Sequence, residues 1–202
     1  MSDLLNIEVS PFGDQSISRA ISKEFLSVFK ATNPEAIIVT KDLATNPVPH
    51  LDAEAISALS TPETERSATM QAKLDYRLEL ISEVNSAKHI LVATPMWNFS
   101  VPSVLKAWID QIIMAGANTF TGKVTIIIAQ GGSYAEGAPR AGWDWESGYL
   151  KQVFSALGAT DIEIIVSEFG LAGVVPVMAD FVENKKVSIA AAKSAAKERA
   201  AV

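Results

Sequence analysis

The chain has no cysteine and only two histidines, His50 and His89. The first absence excludes disulfides, thiolate catalysis and thiolate metal sites. The two histidines lack a metal-ligand spacing, so no metal site is expected. Positive charge is not in excess: the formal net charge is -6, and no lysine or arginine cluster occurs. That argues against a nucleic-acid partner, which needs a basic face. No run approaches the ~18 apolar residues of a membrane span. Met1 to Ser10 is acidic and too short in apolar run for a signal peptide, so a soluble, cytoplasmic protein is expected. Repeats and linkers are missing too, which points to one domain over residues 1–202. What is present is an ordinary globular balance, 49% hydrophobic and 20% charged.

The most informative stretch is Lys88 to Phe99. His89 to Ala93 is a short apolar run with β-branched residues, closed by Pro95. It reads as a central strand of a parallel sheet, buried on both faces. Met96, Trp97, Asn98 and Phe99 then place large apolar side chains and one amide just past its carboxyl end. Ligands of open α/β sheets lie beyond such ends. A planar apolar ligand fits this loop; packing under a neighbouring helix fits it equally.

Around it, strands are expected at Leu4 to Val9, Ala36 to Val39, Val124 to Ala129 and Ile162 to Val166. Helices alternate with them. The first runs from about Ser16 to Ala31, with Ile17, Ile21, Phe25 and Val28 at helical spacing and Asn33-Pro34 beyond. The second opens at Thr61-Pro62 and buries Met70, Leu74, Leu78, Ile81 and Val84. The third begins at Ser100 to Pro102 and is capped by Gly116; the fourth spans about Glu146 to Leu157 and is capped by Gly158. Pro176 opens a helical tail, whose Lys/Glu/Ala face reads as solvated.

Five alternating strands without a Gly-x-Gly-x-x-Gly favour an α/β three-layer sandwich of the flavodoxin-like kind, with a five-stranded parallel sheet in the order 2-1-3-4-5. The loops after strands one, three and four then share one crevice. Ser10, Ser16 and Ser18, at a helix amino end, suit a phosphate, and Arg19 can add charge. Taken alone, Ser16 is equally a helix cap. Gly131-Gly132 lets backbone amides approach a ligand, and Tyr134 can cover a ring edge. A phosphate site, an apolar slot and exposed amides together describe a flavin mononucleotide. No Ser/His/Asp set is present, and a flavin brings its own redox centre.

These motifs resemble the FMN-dependent NADH-azoreductase family, also called FMN-dependent NADH:quinone oxidoreductases. The resemblance rests on Ser10-Pro11 with Ser16-Ile17-Ser18-Arg19, on Pro95-Met96-Trp97-Asn98-Phe99 with Val101-Pro102 and Leu105 to Asp110, and on Gln130-Gly131-Gly132-Ser133-Tyr134. It implies that Ser10 and Ser16, Ile17 and Ser18 hold the FMN phosphate. Met96, Trp97, Asn98 and Phe99 would contact the isoalloxazine and ribityl chain, and Ala129, Gln130, Gly131 and Gly132 the pyrimidine side. Phe120 and Tyr134 would line the substrate pocket. The resemblance further implies a homodimer with one FMN per subunit, and ping-pong transfer from NADH to quinones or azo compounds with no catalytic side chain. Two departures stand out. Ala129-Gln130 replace the usual Ser-Arg, which removes a hydroxyl and a charge beside the flavin. The segment Asn118 to Gly122 is short, so a more open site is expected. The competing readings are a flavodoxin-type electron carrier and a flavin-free hydrolase.

Overall fold

The computed structural model describes residues 2–202. Its centre is a five-stranded, all-parallel sheet in the order β2-β1-β3-β4-β5. The strands are β1 (Leu4–Glu8), β2 (Ile38–Asp42), β3 (His89–Pro95), β4 (Lys123–Ala129) and β5 (Asp161–Ser167). Six helices, α1 (Ile17–Thr32), α2 (Ala53–Ser57), α3 (Ala68–Ser86), α4 (Ser103–Ile112), α5 (Trp145–Leu157) and α6 (Val182–Ala200), surround it.

The period-two alternation of the central strands divides the core between the two faces. Leu5, Ile7, Ile90, Val92, Val124, Ile126 and Ile128 join the larger cluster with Leu80, Ile81, Trp108 and Phe154 of α3, α4 and α5. Leu4, Leu91 and Ile127 point the other way, against Ile21 and Phe25 of α1 and Ala192 and Ala196 of α6. The alanine stripe of α6 lets that helix lie close to α1, so the tail is solvated on one side only. His89 is structural: it is buried at the start of β3, its Nε2 lies 2.9 Å from the Thr125 hydroxyl, and Phe25 meets it edge-on.

Four local expectations shift. β2 begins two residues later than Ala36 and runs on to Asp42 as an edge strand. Thr61-Pro62 leads only into a short 3-10 turn; α3 starts after Ser67, whose hydroxyl accepts the Met70 N–H. A capping hydroxyl outcompeted proline at the first turn. Leu78 is exposed, and Arg77 is buried instead, donating to the carbonyls of Asp110, Gln111 and Ile113 at the end of α4. Gly116 lies in the turn beyond α4, whose last residue is Ile112. Gly158 does end α5, at φ 108°, where an added Cβ would meet the Phe120 carbonyl oxygen at 2.2 Å.

Candidate functional site

Three loops leave the carboxyl ends of β1, β3 and β4 and enclose a cleft of about 430 Å³. Ser10, Ser16 and Ile17 form its first wall, Met96, Trp97 and Asn98 its second, and Ala129, Gln130 and Gly131 its third. Ligand pockets are typically several hundred cubic ångströms.

The first wall is made of neutral hydrogen-bond donors. Ser16 caps α1 by accepting the Arg19 N–H at 3.3 Å. The N–H groups of Ile17 and Ser18 precede the first intrahelical bond and so have no acceptor within the helix. They carry the positive end of the helix dipole, worth ~0.3–1 kcal/mol to an anion and up to ~2 when partly buried. Ser18 is fully buried and lies behind Ser16, with their hydroxyl oxygens 3.1 Å apart, so it supports the wall from beneath. Arg19 does not face the cleft. Its Nε and Nη2 donate to the Ser10 carbonyl at 2.8 and 2.6 Å, and Nη2 also donates to Asp42 at 2.7 Å. The Asp42 carboxylate raises the Arg19 pKa still further. The Arg19 charge therefore holds the loop, and the cleft side of this wall presents only hydroxyls and amides.

The second wall is a two-residue hairpin. Trp97 and Ser100 exchange both main-chain hydrogen bonds, and Asn98 and Phe99 between them sit at φ 50° and 70°. Positive φ at both central positions is the type I′ geometry that favours Asn and Gly. For phenylalanine it costs roughly 1–2 kcal/mol. Trp97 stays 39% exposed, a large apolar surface turned to solvent at the cleft. Phe99 turns away from the cleft and meets Trp143 and Tyr134 edge-on, at 5.1 and 6.0 Å.

Beneath this hairpin Glu146 is wholly buried at the first turn of α5, and Thr94 donates to its Oε1 at 3.2 Å. Burial pushes its carboxyl up to about 9, with Asp144 adding to the effect, so it is neutral at pH 7. Nothing short of the folded chain reveals this, because Thr94 and Glu146 lie on separate elements.

The third wall is covered by a segment that sequence reasoning missed. After β5, the N–H groups of Phe169, Gly170 and Leu171 donate to the carbonyls of Gly132, Gln130 and Gly131. Gly170 and Leu171 line the cleft with Phe12, Gln15 and Pro95. Phe169-Gly170 lies just past the end of β5, as Gly131 lies just past the end of β4. The Gln130 side chain, standing at the usual arginine position, donates to Asp144 at 2.9 Å and ties this loop to the cap of α5. Gly132 does not line the cleft; its carbonyl is taken by Phe169.

One of the two substrate-pocket expectations, Phe120, is corrected. Phe120 is 1% exposed, in the core at the amino-terminal edge of the sheet, against Gly122 and Gly158. The seven residues of β4 span about 23 Å, so Phe120 lies at the wrong end of the strand to reach the cleft. Tyr134 packs on Phe99 outside the cleft lining.

A phosphate-sized donor cluster, an apolar slot and two glycine corners meeting at the first switch point of a 2-1-3-4-5 sheet define a mononucleotide-binding protein of flavodoxin-like type. The residues fit FMN on the chain's own terms: hydroxyls and unpaired amides for a phosphate, Met96 and Trp97 for a flat ring, and the main chain of Gly131 and Gly170 at the third wall. A family model described as "Flavodoxin-like fold" matches residues 2–199. An FMN-dependent NADH:quinone oxidoreductase of Frankia casuarinae is 42% identical, with all of both chains aligned. One from Streptomyces coelicolor is 38% identical over 89% of this chain and 85% of its own. The chain belongs to the FMN-dependent NADH:quinone oxidoreductase family. Its fold matches an azoreductase of Bacillus anthracis str. Sterne at TM-score 0.86 and 20% identity, over 100% of this chain and 99% of that one. An FMN-dependent NADH-azoreductase of Bacillus anthracis str. Ames Ancestor, solved in complex with FMN, matches at TM-score 0.81 and 24% identity over 99% and 100%.

Proposed function

We propose that this protein is an FMN-dependent NADH:quinone oxidoreductase that also reduces azo compounds, with residues 1–202 forming one FMN-binding domain. The observation that carries the reading is the meeting of Ser16, Trp97 and Gly131 on one cleft. Bound FMN supplies the redox centre, accepting a hydride from NADH and passing two electrons to a quinone or azo compound. Around it the chain binds and orients. Ser10, Ser16 and the α1 amide ends hold the phosphate; Met96 and Trp97 support the ring; Asn98 and the amide of Gly131 bond its polar edge, while the Gln130 N–H is spent on the Ser167 carbonyl. Pro95, Gly170 and Leu171 complete the walls. No side chain in the cleft is assigned a proton-transfer role.

We further assign the protein as a cytoplasmic homodimer. Support for the dimer is the apolar surface next to the cleft, where Trp97, Val101, Pro102 and Tyr149 line a groove of about 510 Å³ and Trp145 stands 67% exposed. No helix among the described residues is long and apolar enough to cross a membrane.

The visible spectrum of the purified protein tests the reading. Flavin bands that bleach on anaerobic NADH and return with a quinone are expected. A colourless protein that ignores added FMN overturns it. A yellow protein that NADH does not reduce would instead be an electron carrier of the flavodoxin type.

A further inference from the structure

The composition of the tail helix reads as solvated, yet one of its lysines is turned to the fold. On α6, Lys186 pairs with Glu183, and Lys193 and Lys197 pair with Glu24. Lys185 has no carboxylate partner among the described residues. Its half-buried ammonium donates to the main-chain carbonyls of Gly170 at 2.8 Å and Ala172 at 3.1 Å. Three residues further along the same face of the helix, the Ser188 hydroxyl accepts the Glu168 N–H at 2.8 Å. Three residues back, Val182 lies beside Gly173, 3.5 Å from where a Cβ would stand. One face of α6 therefore grips the segment after β5 at both ends and in the middle.

That segment needs to be held. Phe169 stands at φ 60°, a left-handed conformation unfavourable to a bulky side chain. Such a residue persists only where its surroundings fix it. Its ring stacks on Phe181, with centroids 5.4 Å apart and planes at 10°. From this turn the N–H groups of Phe169, Gly170 and Leu171 reach the carbonyls of Gly132, Gln130 and Gly131, and Gly170 and Leu171 face the cleft. A Cβ on Gly170 would stand 3.3 Å from Ile17 Cδ1, so the turn is wedged between the first wall and the loop after β4. A charged donor makes the stronger kind of hydrogen bond, and Lys185 makes two of them to the outer side of this turn.

We propose that Lys185 is a positioning residue of the FMN site. From α6 it locks the turn at 169–172 in place as the third wall, and through Gly170 it sets how closely that wall meets the cofactor. The inference rests on the flavin reading of the cleft. Lys185 itself is not among the residues lining the cleft, so its effect on FMN passes wholly through the main chain it holds.

The test titrates FMN into apoprotein of the wild type, Lys185→Met, Lys185→Arg, Gly170→Ala and the double variant Lys185→Met/Gly170→Ala. Lys185→Met, which keeps much of the side chain's length without the donor, should raise the FMN dissociation constant roughly tenfold, and Lys185→Arg should recover most of that loss. Lys186→Met, which removes only a pairing with Glu183, should bind as wild type does. Since Lys185 acts through the wall that Gly170 forms, the double variant should bind FMN within about twofold of Gly170→Ala alone; independent effects would multiply. Hydrogen exchange on the apoprotein gives a readout without flavin. The amides of Phe169, Gly170 and Leu171 should exchange faster in Lys185→Met, while those of β4 and α1 keep wild-type protection. Wild-type FMN affinity in Lys185→Met, losses that multiply in the double variant, or exchange that is unchanged at the turn or raised across the whole chain overturn the proposal. A wild type that takes up no FMN defeats the flavin reading itself. A wild type and a Lys185→Met that bind FMN equally well defeat this inference alone.

Discussion

Trp97 and Ser100 donate to each other's carbonyls at 3.0 and 3.1 Å, and this pair of bonds forces the two residues between them into the left-handed region. The turn that supports the proposed flavin ring is therefore built at a cost in backbone energy. Strain of this kind persists where the surroundings over-determine it.

Asn98 separates turn geometry from ligand contact. Asn98→Gly suits the backbone and should leave the melting temperature of the apoprotein near wild type, yet weaken FMN retention because the amide is gone. Asn98→Val should lose both, with the fold destabilised by roughly 1–2 kcal/mol. Thermal unfolding of apoprotein and fluorescence titration of FMN distinguish the two. Unchanged FMN affinity in Asn98→Gly would remove the side chain from the site.

Gly170 and Gly131 differ in what an added methyl would strike. At Gly170 it would lie 2.9 Å from the Gln130 carbonyl oxygen and 3.3 Å from Ile17 Cδ1. At Gly131 it would meet the end of the Leu171 side chain, which can move. Gly170→Ala should therefore weaken FMN binding at least tenfold, and Gly131→Ala much less. The reverse order would mean that the segment after β5 does not set the third wall.

Arg19 acts on the first loop through the Ser10 carbonyl. Arg19→Lys keeps the charge but loses the two-pronged grip, and should raise the FMN dissociation constant several-fold. Riboflavin, which lacks the phosphate, should bind wild type and variant alike. An equal loss for both ligands would indicate a general structural role.

Glu146 and His89 give the stability a pH profile. The Glu146 carboxyl titrates at about 9 when folded, against an ordinary 4.5. The unfolded chain gives up that proton first, so stability falls as pH rises from about 4.5 to about 9, by about 1.4 kcal/mol per pH unit where this group acts alone. His89, held down to about 4 by burial and by Arg199 and Lys123, works in the opposite sense. The unfolded chain takes up its proton below 6.5, so stability falls as pH drops from there towards 4. Between about 4.5 and 6.5 the two nearly cancel. Urea midpoints should be flat in that window and decline from pH 7 to 9, and Glu146→Gln should flatten the alkaline decline. A wild-type profile level up to pH 9 would contradict a neutral buried carboxyl.

Much of the site was readable before folding. The strand order follows from five apolar runs, alternating helices and no dinucleotide glycine pattern; the serine, aromatic and diglycine loops follow from their places after strands one, three and four. Leu78 shows where such reading stops. Helical spacing marks a stripe, but the neighbour decides its edge, and the carbonyls ending α4 drew Arg77 inward instead. Phe120 was assigned to the substrate by resemblance, although its place before β4 puts it at the opposite end of the sheet.

By itself the sequence determined the quantities that depend on near neighbours along the chain. These are the alternation of strands and helices, the Ser16 cap, the run of large side chains after β3, and the glycines that permit close approach. Only the tertiary structure decided which distant groups meet: Arg19 with Asp42, Thr94 with Glu146, Gly170 with Gln130, Arg140 with Phe99. The reason is range. Backbone preference and hydrophobic period act within a few residues, whereas the partner of a charge or a buried hydroxyl is chosen by strand order and register, which bring together residues dozens of positions apart.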